Sequence, residues 1–218
     1  MTRDNATLPD AETLTHEGLA PDGASGVLIL ACGALAREIL AVIAVNKMEH
    51  VTLQCLPAIY HNHPERIVPA VEAAVAEARA SHDRIFLAYA DCGTGGQLQT
   101  TAARLGIEMI EGPHCYSFFE GNDTFLARTD DEFTAFYLTD FLVRQFDAFV
   151  WKPLGLDRHP ELRDMYFGHY EKLVYQAQTD DHALSAKAED YAKQLGLAYE
   201  RRFTGYGDLE AAISQIKA

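Results

Sequence analysis

The stretch GVLILACGALAREILAVIAVNKM, residues 26–48, decides the fold class. Its first part, GVLILAC, is a short continuous apolar run, which is typical of a strand that is covered on both faces. The second part follows without a break and places Leu35, Ile39, Val42 and Ile43 on one face of a helix. A buried strand that leads directly into an amphipathic helix predicts the first βα repeat of an α/β fold.

Three more repeats of this kind follow, with strands predicted in VTLQCLP (51–57), RIFLAYA (84–90) and IEMIEG (107–112). Strand signals vanish at about residue 122, and helical patterns rich in aromatic residues continue to about residue 195. The chain then gives one more strand, LAYERRF (197–203), and a closing helix. We predict a single α/β domain over residues 26–218, with a Rossmann-like parallel sheet, helices on both faces, and a helical insertion at about 122–195 before the last strand. Residues 1–25 are polar and aperiodic and are predicted to form a mobile arm.

Composition excludes several classes of function. Of the 218 residues, 48% are hydrophobic, which is enough for a substantial core without disulfides. Lysine and arginine number 18 against 32 aspartate and glutamate residues, and the net charge of -14 argues against nucleic-acid and membrane partners. No secretion signal or membrane-spanning run is visible, so we expect a cytoplasmic protein with reduced cysteines.

Three of the four cysteines are predicted to share one edge of the sheet. Parallel strands all point the same way, so the loops that follow them gather at one edge, where ligands bind. Cys32 ends the first strand, Cys92 follows the third, and Cys115 follows the fourth. Cys55 lies inside the second strand and is predicted to be a buried core residue.

Histidines are predicted to reach the same edge. His61 and His63 follow the second strand, and His114 precedes Cys115. Three thiolates and one imidazole suit a tetrahedral zinc site, with His114 as the fourth ligand and His61 as a further candidate or a proton-transfer group. An iron–sulfur cluster on the same three cysteines is the alternative metal group, and a thiolate nucleophile is the metal-free alternative.

A few other residues are candidates for the site. The loop DCGTGG includes Gly93 and Gly95, which either cradle an anionic cofactor or only allow a tight turn. Asp140 interrupts an apolar stretch and must be paired, exposed or functional, and as a functional residue it would cap the ligand crevice and bind a cofactor. Tyr206 follows the last predicted strand and is predicted to overlook the ligand edge as a catalytic residue, and Glu38 either faces solvent or supplies a catalytic carboxylate near Cys32. The aromatic residues of the predicted insertion favour a core or a homodimer interface.

Several motifs together resemble the family catalogued as domain of unknown function 1638: GVLILACGAL, LPAIYHNHPERI, AYADCGTGG, GPHCYSFFEG, FYLTDFLVRQF, HPELRDMYFGHYEKLVYQ and LAYERRFTGYGDLEAAI. The resemblance covers the chain from about Gly26 onward and supports Cys32, Cys92 and Cys115 as a functional set. It implies one-carbon metabolism, since members resemble accessory proteins of corrinoid-dependent methyl transfer. A corrinoid protein or a methyltransferase is therefore an implied partner. The resemblance implies no particular reaction.

Two classes of function remain open from the sequence. In the first, the protein is an enzyme in which thiolate-bound zinc activates a nucleophile that accepts or releases a methyl group, with a small molecule as substrate. In the second, it is an accessory or carrier protein that binds a metal or a corrinoid partner without turnover.

Overall fold

The computed structural model describes residues 8–24, 26–128 and 132–217. Strands lie at Val27–Cys32 (β1), Val51–Leu56 (β2), Arg84–Ala88 (β3), Glu108–Met109 (β4), Ala135–Thr139 (β5), Lys172–Ala177 (β6) and Ala198–Phe203 (β7). The α-helices are Ala11–His16 (α1), Ala36–Val45 (α2), Ile67–Ala78 (α3), Gln97–Leu105 (α4), Ser117–Glu120 (α5), Asn122–Arg128 (α6), Asp140–Arg144 (α7), Arg163–Phe167 (α8), His182–Leu195 (α9) and Gly207–Ser214 (α10). Of these helices in the described ranges, none combines the length and the apolarity that a bilayer crossing requires.

The described residues group into two compact units. Those within 8–89, 93–110 and 213–217 form the first unit, and those within 90–92 and 111–212 form the second unit. Each unit has its own parallel sheet, so two sheets replace the single sheet that the sequence predicts.

The sheet of the first unit confirms the predicted parallel α/β class. Its strand order is β2-β1-β3-β4, and every pair is parallel. All six residues of β1 are buried, as its continuous apolar sequence predicts. The order matches the start of the doubly wound order 2-1-3-4-5, in which ligands bind beyond the carboxyl ends of the strands at the switch point. That point lies between β1 and β3, and Cys32 is the carboxyl-terminal residue of β1.

The first two long helices each bury one apolar face, and that of α2 is the face that its periodicity predicts. Ile39, Val42 and Ile43 of α2 are buried, and Leu35 is buried in the 3-10 helix before it. α3 likewise buries a stripe that begins at Ile67 and Val71. Burial of such a stripe against the sheet supplies most of the stability of a surface helix.

The described part of the predicted mobile arm, residues 8–24, is a packed segment of the first unit. Asp10 caps α1 by accepting a hydrogen bond of 2.9 Å from the N–H of Thr13, and Leu14 is fully buried. Leu19 then exchanges two backbone hydrogen bonds with Cys55, of 2.9 and 2.8 Å, on the outer edge of β2. A short capped helix and one bridge pair leave little periodicity in the sequence, so the sequence does not predict these elements. Residues 1–7 and 25 lie outside the described residues.

The sheet of the second unit consists of β5, β6 and β7 in that order, again all parallel. β6 is central, and Leu173, Val174 and Tyr175 are fully buried. The last strand, β7, was predicted to return to the first sheet, but it pairs with β6 along its whole length. The two outer strands therefore depend on β6 for their backbone hydrogen bonds.

The prediction that residues 122–195 are purely helical is wrong, because β5 and β6 lie within them. Both segments carry apolar residues at helical spacing, and a short apolar run does not distinguish a buried strand from a buried helix. Pairing with neighbouring strands decides between them, and only the tertiary structure contains that information. The helix predicted at the end of this range is confirmed as α9, and the last strand and the closing helix are confirmed as β7 and α10.

The packing of residues 8–24 against β2 predicts that any side chain at Gly18 lowers the stability of the protein. Gly18 has a φ of +83°, and an added Cβ would lie 2.1 Å from the carbonyl oxygen of Cys55. We expect Gly18→Ala to lower the free energy of unfolding by about 3 kcal/mol, from left-handed strain and overpacking together. Urea unfolding followed by circular dichroism measures this change.

Gly23→Ala is the matched control for this prediction. Gly23 has a φ of +91°, but an added Cβ would meet nothing within 4 Å. Its substitution should therefore cost only the backbone strain, about 1 kcal/mol. Equal effects of the two substitutions would contradict the packed position of Gly18.

Candidate thiol site

Two cysteines of the second unit lie in direct contact. The Sγ atoms of Cys92 and Cys115 are 3.1 Å apart, and the two residues are reduced thiols. Cys92 is 7% exposed, whereas Cys115 is partly exposed. The structure thus brings together two of the three cysteines that the sequence predicts to form a site.

Backbone hydrogen bonds hold the two thiols in place. The N–H of Asp91 donates to the carbonyl of Gly112 at 3.2 Å, and the N–H of Cys92 donates to the carbonyl of Pro113 at 3.4 Å. Cys92 also has a φ of +47°, which is uncommon for a residue with a side chain. Such a conformation persists only where its surroundings impose it, and it is frequent at functional sites.

Four aromatic rings form a stack next to the thiols. The ring of His114 stacks on Tyr116, with centroids 4.9 Å apart, and Tyr116 stacks on Tyr137 at 5.5 Å. Phe125 meets Tyr116 and Tyr137 edge-on, at 5.5 and 5.6 Å. Because His114 and Tyr116 flank Cys115 in the sequence, this aromatic stack fixes the backbone on both sides of that cysteine.

The phenol of Tyr116 remains neutral at physiological pH. Burial, with a smaller contribution from the neighbouring Cys92, raises the pKa of Tyr116 to about 12. A neutral hydroxyl can donate a hydrogen bond, whereas a phenolate can only accept one. Tyr116 therefore adds no negative charge to the thiol pair.

A charged network that the sequence pattern does not predict supports the aromatic stack. Tyr137 donates a hydrogen bond of 2.5 Å to the carboxylate of Glu132. That carboxylate also accepts from both terminal nitrogens of Arg202, one at 2.8 Å, and from Lys172 at 3.1 Å. Arg202 is also hydrogen-bonded to Glu200 at 2.5 Å. Lys172 lies on β6, Glu200 and Arg202 lie on β7, and Glu132 lies just before β5. These residues are distant in sequence and meet only because the strands pair, so the sequence pattern does not reveal the network.

Both carboxylate oxygens of Asp140 accept hydrogen bonds from other groups of the protein. Its Oδ1 accepts hydrogen bonds from the hydroxyl of Tyr175 at 2.7 Å and the N–H of Gln178 at 3.1 Å. Its Oδ2 accepts from the N–H and the hydroxyl of Thr179, at 3.2 and 2.5 Å. Asp140 is therefore paired, and it ties the end of β5 to the segment after β6. Its role in binding a cofactor stays a prediction.

The candidates Cys32 and Glu38 lie in the first unit, as does Cys55. Cys32 ends β1 and is 4% exposed, and Glu38 is buried on α2, so its carboxylate does not face solvent. Cys55 is buried in β2, as predicted. Burial raises the pKa of the Cys55 thiol well above its usual value, and the nearby Cys32 and Glu38 raise it further. Cys55 is therefore an unreactive core thiol.

The remaining loop candidates lie at exposed or partly exposed positions or in a tight turn. His61 and His63 are exposed, and His63 lies 3.6 Å from the carboxylate of Glu65. Gly93 and Gly95 have φ values of +82° and +63°, so they make the tight turn that the sequence allows for. The partly exposed Tyr206 precedes α10, and its carbonyl accepts a hydrogen bond of 3.1 Å from an N–H of that helix. Their predicted roles in catalysis or binding remain predictions.

The two sulfur atoms of the thiol pair are of the right chemical type for a soft metal ion, but they are fewer than a complete set of ligands. Thiolate sulfur is a preferred ligand of zinc and of iron–sulfur clusters. Within the described part of the chain, however, no group of three or more His, Cys, Asp or Glu side chains is arranged to hold a metal ion. The described geometry thus supplies two preformed donors, Cys92 and Cys115.

The charged network predicts a loss of stability in acid. Hydrogen bonds from Arg202 lower the pKa of Glu132 to about 2, from an ordinary value of 4.5, against the opposing effect of burial. The folded state therefore binds a proton on the Glu132 carboxylate less tightly than the unfolded state does. The contribution of Glu132 to the free energy of unfolding is complete above about pH 4.5 and is lost as the pH falls toward 2. We expect Glu132→Gln to destabilise the protein by about 3 kcal/mol at neutral pH and to flatten this acid dependence.

Urea unfolding at neutral and acid pH, followed by the fluorescence of Trp151, tests the role of Glu132. Trp151 is the sole tryptophan and lies in the second unit. Glu161→Gln is the control, since Glu161 pairs with His159 at an exposed position and its loss should change little. Equal acid sensitivity of wild type and Glu132→Gln would contradict the prediction.

The hydrogen bonds of Asp140 predict a structural effect of substitution. Asp140→Asn replaces an acceptor by a donor and leaves a hydrogen bond of Thr179 unmade, so we expect a loss of about 2 kcal/mol in the free energy of unfolding. Tyr175→Phe removes one of the same bonds and should cost about 1 kcal/mol. Unchanged stability of Asp140→Asn would show that the carboxylate is not needed for folding.

Comparisons with known proteins give one match. The family model described as protein of unknown function (DUF1638) matches residues 55–213. No curated protein and no solved structure matches the chain. The match begins later than the resemblance from Gly26 suggests, but it includes Cys92, Cys115, the aromatic stack and the charged network. The match covers more than half of the chain, which therefore belongs to the DUF1638 family.

Proposed function

We propose that the second unit carries a zinc–thiolate site built on Cys92 and Cys115, and that the chain is an enzyme of methyl transfer in one-carbon metabolism. The observation that carries this proposal is the Sγ–Sγ distance of 3.1 Å. Two thiols held this close act as a chelating pair for one soft cation. His114 of the same unit remains a predicted further ligand.

The distance between the thiols is compatible with a shared metal ion after a small movement. Zinc–sulfur bonds of about 2.3 Å at a tetrahedral angle place two sulfur atoms roughly 3.8 Å apart. The two Sγ atoms, now 3.1 Å apart, would have to separate by roughly 0.7 Å. Rotation of the partly exposed Cys115 side chain can supply this movement, while Cys92 stays fixed by its backbone.

A bound zinc ion would supply a nucleophile at neutral pH, because it lowers the pKa of a thiol or water at its open position. The residues of the second unit would orient the acceptor and exclude water. Cys115 borders the aromatic stack, which offers an apolar wall beside the thiols. The neutral hydroxyl of Tyr116 could donate a hydrogen bond to the acceptor.

Methyl transfer is our choice of reaction, because the family resemblance implies corrinoid-linked one-carbon metabolism without implying a particular reaction. A thiolate acceptor attacks the methyl carbon of a donor, the new carbon–sulfur bond forms, and the electron pair of the broken bond leaves with the donor. A methylated corrinoid on a partner protein is the proposed donor. Loss of the absorbance of the methylated corrinoid, with a thiol present as acceptor, measures this transfer.

Elemental analysis of anaerobically purified protein tests the metal site. We expect about one zinc ion per chain in the wild type and at least a tenfold loss in Cys92→Ala and in Cys115→Ala, since removal of a ligand typically lowers metal affinity strongly. Cys55→Ala is the matched control and should retain its zinc, because Cys55 is a core residue of β2. Cys32→Ala tests the predicted third thiolate in the same way.

The same preparations separate the alternatives. Zinc that is retained in both Cys92→Ala and Cys115→Ala, or no metal in any preparation, would overturn the proposal. A brown protein that contains iron and sulfide would replace zinc by an iron–sulfur cluster. Stoichiometric zinc without methyl transfer to any thiol would favour an accessory or carrier protein.

A further inference from the structure

We infer that Cys92 and Cys115 are a redox modification site, at which a peroxide converts the two thiols reversibly into a disulfide. This inference goes beyond the proposed function, because it requires only the two side chains and an oxidant. It assigns the chain a second chemical state of the same thiols, in which neither sulfur is available as a metal ligand or a nucleophile.

The contact distance makes an internal disulfide accessible. The sulfur atoms of a disulfide are about 2.05 Å apart, so the Sγ atoms at 3.1 Å must approach each other by roughly 1 Å. Rotation about the side-chain bonds of Cys115 can provide this, because that residue is partly exposed. The backbone hydrogen bonds of Asp91 and Cys92 already hold the two chain segments together, so little conformational entropy is lost on closure.

The burial of the two residues assigns them different roles. Cys115 is the partly exposed member and can meet a small oxidant from solvent, whereas Cys92 is 7% exposed. Cys115 is therefore the attacking thiol and Cys92 the resolving thiol. This division is typical of redox-sensitive pairs, in which an accessible cysteine lies next to a second thiol.

The chemistry balances with hydrogen peroxide as the oxidant. The Cys115 thiol loses its proton and attacks one peroxide oxygen as the thiolate, the O–O bond breaks, and the leaving hydroxide takes up that proton, so the products are a sulfenic acid and water. The Cys92 thiol then attacks that sulfur, the S–S bond forms, and the sulfenic oxygen leaves as a second water. Two thiols lose two electrons and two protons in total, and peroxide accepts both. A reducing thiol such as glutathione reverses the change through a mixed disulfide.

Each cysteine has its own tryptic peptide, which makes the test direct. Cleavage after Arg84, Arg104 and Arg128 places Cys92 in residues 85–104 and Cys115 in residues 105–128. The full-length protein is treated with equimolar hydrogen peroxide, blocked with N-ethylmaleimide under denaturing conditions, digested and analysed by mass spectrometry. We expect a linked peptide of 85–104 with 105–128, lighter by two hydrogens than the separate peptides and lost on reduction. The peptide of Cys55 should stay unlinked and blocked, since its thiol is buried.

Two variants identify the roles of the cysteines. Cys92→Ser should give no linked peptide and should accumulate sulfenic acid on Cys115, which dimedone labels. Cys115→Ser should give neither the linked peptide nor rapid labelling of Cys92. Cys55→Ala should behave like the wild type. Native near-ultraviolet circular dichroism of each variant checks that it is folded before oxidation.

The result separates this inference from the zinc proposal. The assay is performed on protein as purified and again after removal of metal by a chelator. A linked peptide in protein that never holds zinc would support the disulfide and overturn the zinc site alone. Zinc bound by both thiols, with no linked peptide under either condition even in excess peroxide, would overturn the disulfide alone.

Discussion

Two backbone hydrogen bonds, from Asp91 to Gly112 and from Cys92 to Pro113, are the constraint on which the candidate site depends. They join the segment after β3 to the segment after β4, which are distant in sequence, and so bring two thiols to 3.1 Å. The left-handed backbone of Cys92 is maintained by the same contacts. A strained residue persists only where its surroundings hold it. The position of Cys92 is therefore a property of this packing and not a preference of the cysteine itself.

Two groups of residues in the second unit support the thiols: the aromatic stack, and the charged network around Glu132. The aromatic stack fixes the residues on both sides of Cys115, and its outer ring, Tyr137, is hydrogen-bonded to Glu132. Glu132 is in turn held by Arg202. Partly buried charges of this kind are stabilising only as a complete set, because removal of one partner leaves the other desolvated and unpaired. The network is accordingly a device for positioning Tyr137 as well as a contribution to stability.

The two proposed states of the thiol pair exclude each other, and this exclusion has a chemical consequence. A thiolate that binds a metal ion has its lone pair engaged, and a sulfur in a disulfide has no thiolate to offer. The Sγ–Sγ distance of 3.1 Å lies between the value of about 2.05 Å in a disulfide and the value of roughly 3.8 Å for two sulfur atoms on one zinc ion. It is closer to the zinc value, so binding of a shared metal needs the smaller movement. A site of this geometry can couple the chemistry of a bound soft metal to the redox state of its surroundings.

The sequence by itself determined the βα repeats of the first unit, the last strand and the helices beside it, because strands buried on both faces and amphipathic helices have strong local patterns. It also predicted Cys55 as a core residue and Cys32, Cys92 and Cys115 as one set, of which only the tertiary structure shows Cys92 and Cys115 in contact. It did not determine β5 and β6, the second sheet or the docked residues 8–24, since their apolar runs fit more than one local structure. Pairing of strands distant in sequence decided those elements, and the Glu132–Arg202 network follows from the same pairing. Local patterns fix which residues prefer a strand or a helix, whereas long-range hydrogen bonds and burial fix which of them meet.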